Sequence, residues 1–195
     1  WRIGPQAYVV GSAFVRDRTF VAPALPFLRR LRDQTRETAN LGVVEDGEIV
    51  LVNQITSREI TRAVSRVGGR TPMTASGMGK AVLSCYSPDD VSALLRRRAM
   101  RKITNKTLTS RDALERELAD ARANGYSVDD EEFLHGLRCV AAPVYDSQAE
   151  VVCAISVSGL PARMTPDRIP KLGRLLVETA AELTRALGGT PRLTA

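Results

Sequence analysis

No stretch of this 195-residue sequence is apolar for long enough to span a membrane, and its start has neither the charged opening nor the apolar run of a secretion signal. Those absences place the expectation in the cytoplasm, with no membrane partner. Cysteine is scarce: Cys85, Cys139 and Cys153 are odd in number and widely spaced, which argues against a disulfide framework and against a CxxC metal site. Reduced thiols packed as small hydrophobes are expected instead. A lone histidine, His135, gives metal hydrolysis no second imidazole, and neither metal nor cofactor is expected. Aromatic residues make up only 5%, and none interleaves the dense cationic run Arg96-Arg97-Arg98 with Arg101-Lys102. The net charge of +6 therefore reads as a dispersed basic surface, and that run as a solvated helix end whose cations suit the helix dipole. Internal repeats and low-complexity tracts are missing as well.

The remaining composition, 44% hydrophobic and 26% charged, is that of a folded chain long enough for a real core. Pro5 suits the first position of a helix with Tyr8, Gly11 and Phe14 or Val15 on one face. A second helix from Pro23 carries Leu25, Leu28, Leu31 or Arg32, and Thr35 along its inner stripe. The period then changes to two. Leu41–Val44, the turn dipeptide Asp46-Gly47 and Ile49–Val52 predict a β-hairpin, with a third strand over Ile60–Val67. Helices are predicted over Ala75–Tyr86 and Pro88–Arg98, and another from the cap Ser110 to Asn124, with Leu114, Leu118 and Ala121 buried. Strands over Arg138–Tyr145 and Glu150–Ser158 follow, then a helix capped by Thr165 with Pro166 first. The order predicts an α+β fold, an antiparallel sheet flanked by helices.

The last two strands carry the most chemistry. A tight turn at Asp146–Ala149 would pair Cys139 with Ser156 and Ala141 with Ala154, putting Leu137, Cys139, Ala141, Ala154, Ser156 and Ser158 on one face. A packed core would use larger side chains there. Two readings stay open: a space for a ligand, or close approach of a helix with the hydroxyls bonded to backbone. The turn Thr74–Ala81 opens a helix whose free N–H groups suit an anion, although Lys80-Ala81 rules out a P-loop. The acidic run Asp129–Glu132 faces solvent or caps a helix, unless it borders a pocket. His135 and Cys139 raise a Cys/His nucleophile as an enzymatic alternative. A non-enzymatic binding module is the stronger reading, since no further base is in evidence.

Four segments in order, Gly68–Ala81, Asn124–Glu132, Gly136–Pro143 and Ala154–Gly159, resemble the effector domain of the IclR family of transcription regulators, and Trp1–Gly4 looks like that family's linker helix. The resemblance implies a GAF-like domain over 21–189, a linker helix over 1–20 from an absent N-terminal winged helix-turn-helix, and a tail over 190–195. It implies a homodimer or homotetramer, DNA contact through the absent module, and a small carboxylate effector such as a glyoxylate- or pyruvate-like 2-oxo acid. An aromatic or sugar-derived acid, or a ligand-free oligomerisation module, is the alternative. Matched by motif, the ligand-binding positions are Gly77, Met78, Asp129, Cys139, Ser156 and Ser158, with Leu137 and Thr71 beside them. Met78 stands where small-acid sensors often have alanine.

Overall fold

The computed structural model describes residues 4–7, 9–11, 20–57 and 66–191. Residues 5–7 and 9–11 are helical and exposed. Tyr8, Phe14 and Val15, the predicted inner face of that helix, lie outside the described residues, as does most of the predicted strand over Ile60–Val67.

From there the elements run α1 (Val21–Thr35), β1 (Thr38–Glu45), β2 (Glu48–Ile55), β3 (Arg70–Pro72), a 3-10 turn (Met73–Ala75), α2 (Gly77–Leu83), α3 (Pro88–Arg97), α4 (Arg111–Asn124), β4 (Ser127–Asp130), β5 (Arg138–Tyr145), β6 (Val151–Gly159) and α5 (Ile169–Ala186). The strands form one antiparallel sheet in the order β3-β2-β1-β6-β5-β4, an α+β architecture. Asp46 and Gly47 both take positive φ, 51° and 72°, the geometry that a two-residue hairpin needs between β1 and β2. The hydroxyls of Ser76, Ser87 and Ser110 cap α2, α3 and α4 by accepting from a backbone N–H of the first turn.

Alternation along the strands gives the sheet two different faces. One packs Leu41, Val43, Val140, Val144, Ile155 and Val157 against α1 and α5, through Leu28, Leu31, Leu172, Leu176 and Leu183. The other packs Ile49, Leu51, Ala141 and Ala154 against Met78, Val82, Leu114 and Leu118 of α2 and α4. At the edge of the first core the carboxylate of Glu37, entirely buried, is held by Arg163 and Arg168 at 2.8 and 3.1 Å, joining the start of β1 to the approach to α5. Paired and hydrogen-bonded charge of this kind is what makes its burial tolerable.

Several expectations need correction. Among the described residues the third strand is Arg70–Pro72, paired with β2 through Ile49 and Thr71, and the predicted strand over Ile60–Val67 lies mostly outside them. Helix α5 starts at Ile169, because Thr165 first closes a turn in which its carbonyl accepts from Arg168 and Ile169. In α1 the inner position is Ala24, with Leu25 only half-buried. The β5–β6 register is two residues from the predicted one, with Cys139 opposite Ser158 and Ala141 opposite Ser156. The turn closes through Asp146 and Glu150, one residue wider than expected, and an irregularity between Val144 and Tyr145 adds the second. A slip of two preserves the face of every side chain, so the surface of small residues survives.

Candidate functional site

The second face of the sheet is incompletely filled. Between β1, β6 and β5 on one side and the start of α2 on the other lies a cavity of about 290 Å3. Its origin is local. Asn40, Ser156 and Ser158 are short polar side chains where neighbouring strand positions carry aliphatics, and the small thiol of Cys139 meets only the glycine that opens α2. All eight positions singled out from the sequence line this one cavity. Thr71 comes from β3, Gly77 and Met78 from the first turn of α2, Asp129 from β4, Leu137 from the residue before β5, Cys139 from the start of β5, and Ser156 and Ser158 from β6.

The cavity has a polar, buried end and an apolar flank. At the polar end Asn40 donates from Nδ2 to Ser156 Oγ and Ser158 Oγ, each at 3.1 Å. Gln54 donates to Asn40 Oδ1 at 2.9 Å. The flank consists of Ile49, Leu51, Phe133 and Leu137, and the exposed residues Arg66 and Arg70 lie at the rim. Gly77 lets the helix start come close, since a methyl group there would meet Cys139 Sγ at 3.0 Å. As the first two residues of α2, Gly77 and Met78 have N–H groups with no acceptor inside the helix. Thr71 Oγ1 is buried with no hydrogen-bond partner among the described residues.

Burial pushes the Asp129 carboxyl up to about 7, assisted by the nearby charge of Glu132 and opposed by the backbone N–H of Glu132, which donates to it. Near neutral pH it is therefore poised between acceptor and donor. Beneath it Lys80, fully buried, places its ammonium between Glu132 and Glu117. The acidic run thus ends edge strand β4 with Asp129 and Asp130 and supplies Glu132 to a buried ion pair, and of the readings left open for it the one that borders a pocket describes Asp129. Burial also pushes the Cys139 thiol up to about 12, so it keeps its proton. His135 is exposed and does not line the cavity. The Cys/His nucleophile fails on both counts.

Asn40, Arg66, Arg70 and Phe133 were not anticipated. Asn40 carried one legible signal, a polar amide just before an apolar strand run. Its two serine partners lie more than a hundred residues away, beyond the reach of local pattern.

The profile of the family described as "Bacterial transcriptional regulator IclR C-terminal" matches residues 13–185. The chain is 41% identical over 192 residues to the acetate operon repressor of Salmonella typhimurium, covering 97% of this chain and 70% of that protein. It is 40% identical over 192 residues to the HTH-type transcriptional regulator BhcR of Paracoccus denitrificans, covering 98% and 68%. Among solved structures, Thermotoga maritima IclR superposes with a TM-score of 0.88 at 28% identity, covering 95% of this chain and 75% of that one. The inducer-binding domain of a PobR double mutant from Acinetobacter, in complex with 3-hydroxybenzoic acid, superposes with a TM-score of 0.75 at 26% identity, covering 83% and 95%. This chain therefore belongs to the IclR family of bacterial transcription regulators, as a C-terminal domain of that family.

Proposed function

We propose that the domain binds a small carboxylic acid in this cavity and that occupancy alters operator binding by the full-length regulator. The observation that carries the reading is a partly open cavity whose inner end is lined by hydroxyls, with Thr71 Oγ1 left unpartnered among the described residues. A buried hydroxyl without a partner is costly unless a ligand or water supplies one. The exposed arginines at the rim favour an anion approaching the site. The ligand's carboxylate sits against the N–H groups of Gly77 and Met78, with Ser156, Ser158 and Asp129 around its other oxygens. A 2-oxo acid of the glyoxylate or pyruvate type is the first reading.

A second reading, an aromatic acid, is favoured by the flank of Ile49, Leu51 and Phe133 and by the likeness to the PobR inducer-binding domain. In either case the effector acts by binding one conformation better than another. DNA contact belongs to a winged helix-turn-helix preceding this domain, and the regulator assembles as a homodimer or homotetramer.

Calorimetric titration with glyoxylate, pyruvate and 3-hydroxybenzoate tests the reading. Saturable binding of one of them is expected, and silence from all three would leave a ligand-free oligomerisation module as the better description.

A further inference from the structure

Strand register sets Gln54, Asn40 and Ser156 side by side on β2, β1 and β6, facing the cavity side of the sheet. Ser158 follows two residues on, on the same face. The hydrogen bonds along this row run in one direction. Gln54 Nε2 donates to Asn40 Oδ1, and Asn40 Nδ2 donates to both serine oxygens. A side-chain amide has two protons on nitrogen and none on oxygen, so the two serines at 3.1 Å take both, with the Thr38 carbonyl a more distant acceptor at 3.5 Å. A hydroxyl that accepts from one side keeps its own proton to give to another. With the amide in this sense, Ser158 offers its O–H to the cavity, and Ser156 keeps an O–H for the cavity or for the Cys139 sulfur that lines it. With the amide reversed, Oδ1 would draw those protons to itself, and the cavity would be left with lone pairs.

Asn40 is 4% exposed and lines the cavity, whereas Gln54 is only half-buried and does not. The residue that fixes the direction of the row therefore lies outside the site. We propose that Gln54 is a positioning residue which, by holding the Asn40 amide in one sense, makes Ser156 and Ser158 hydrogen-bond donors and so selects ligands that present acceptor oxygens. The inference rests on the proposed carboxylate reading of the cavity and adds to it a determinant of ligand chemistry that the ligand does not touch.

Two substitutions separate the possibilities. Gln54→Glu presents only acceptors, so Asn40 must turn Nδ2 toward residue 54 and Oδ1 toward the serines. Gln54→Lys presents only donors and keeps the native sense. With pyruvate as probe, Gln54→Glu is expected to weaken binding about tenfold, and Gln54→Lys to stay within about threefold of the native protein. Both effects should persist in high salt, which screens exposed charge. Unchanged affinity in Gln54→Glu would overturn the proposal. So would equal and opposite changes in the two variants that vanish with salt, because those report charge and not amide direction.

A ligand-independent readout keeps the device separate from the carboxylate reading. In NMR spectra of the free protein, the Asn40 side-chain amide protons should lie close to the β-protons of Ser156 and Ser158, and should lose that proximity in Gln54→Glu. Retained proximity overturns the device, whereas failure of every acid to bind the native protein overturns only the functional reading beneath it.

Discussion

A methyl group on Gly42 would lie 2.8 Å from the thioether sulfur of Met78 and 2.7 Å from Ile49 Cγ2, so the sheet leaves out a side chain at the point where α2 lays one down. Met78 therefore sets how much of the cavity is open. Met78→Ala should enlarge it and shift preference from pyruvate toward 3-hydroxybenzoate, as a ratio of calorimetric dissociation constants. Gly42→Ala should push the flexible thioether into the cavity, reverse that ratio and cost about 1–3 kcal/mol by overpacking. An unchanged ratio in both variants would remove Met78 as the determinant of size.

Occupancy should be visible as stability. A ligand present at a hundred times its dissociation constant adds about 2.7 kcal/mol, which for a chain of this size raises Tm by about 5–10 °C. Ser158→Ala removes one hydroxyl from the polar end and should weaken pyruvate binding by about 1 kcal/mol. The unliganded Tm should move little, because Ser158 is only partly buried. A loss of unliganded stability with no loss of affinity would make Ser158 a packing residue.

The Asp129 carboxyl gives a signed pH dependence. It titrates near 3.9 in an unfolded chain and at about 7 when folded. Between those values the folded protein holds the extra proton, so stability falls as pH rises, with the penalty absent below the lower value and complete above the upper. Asp129→Asn keeps an acceptor for the N–H groups of Glu132 and Phe133 but cannot ionise. Urea denaturation should show the variant gaining on the native protein across this window, by an amount on the order of 4 kcal/mol at its upper end. A constant difference at all pH values would mean that Asp129 is not the titrating group.

Lys80 and Glu132 form a buried pair in which Glu132 Oε2 has no partner of its own among the described residues. Removing the cation by Lys80→Met should strand that carboxylate and cost about 3–5 kcal/mol in chemical denaturation. Adding Glu132→Gln to Lys80→Met should recover part of the loss, because the stranded charge goes with it. A double variant no more stable than the single one would assign the loss to packing.

How much of this was legible in advance depended on the range of the signal. The capped helix from Ser110, with Leu114, Leu118 and Ala121 inside, was readable because caps and helical spacing are local. The small-residue face of β5 and β6 was readable although the register was not. Parity along a strand survives a slip of two, and a wider turn with a bulge leaves little trace in sequence. The burial of Glu132 illustrates what was hidden. Charged residues in a row ordinarily seek water, and Lys80 arriving from another element makes the burial of Glu132 tolerable, while Asp129 is held by the backbone N–H groups of Glu132 and Phe133. Direction within the Gln54–Asn40–Ser156 row was equally hidden, since it belongs to three strands at once.

The sheet's two unlike faces have a mechanical consequence. The aliphatic face, locked at its rim by Glu37 and two arginines, can hold the strands in place whether or not anything sits on the other side. The hollow face is then free to change its contents without endangering the whole. A visiting acid would meet a wall that is already rigid, and whatever movement it provokes would be borne by α2 and the loops around it.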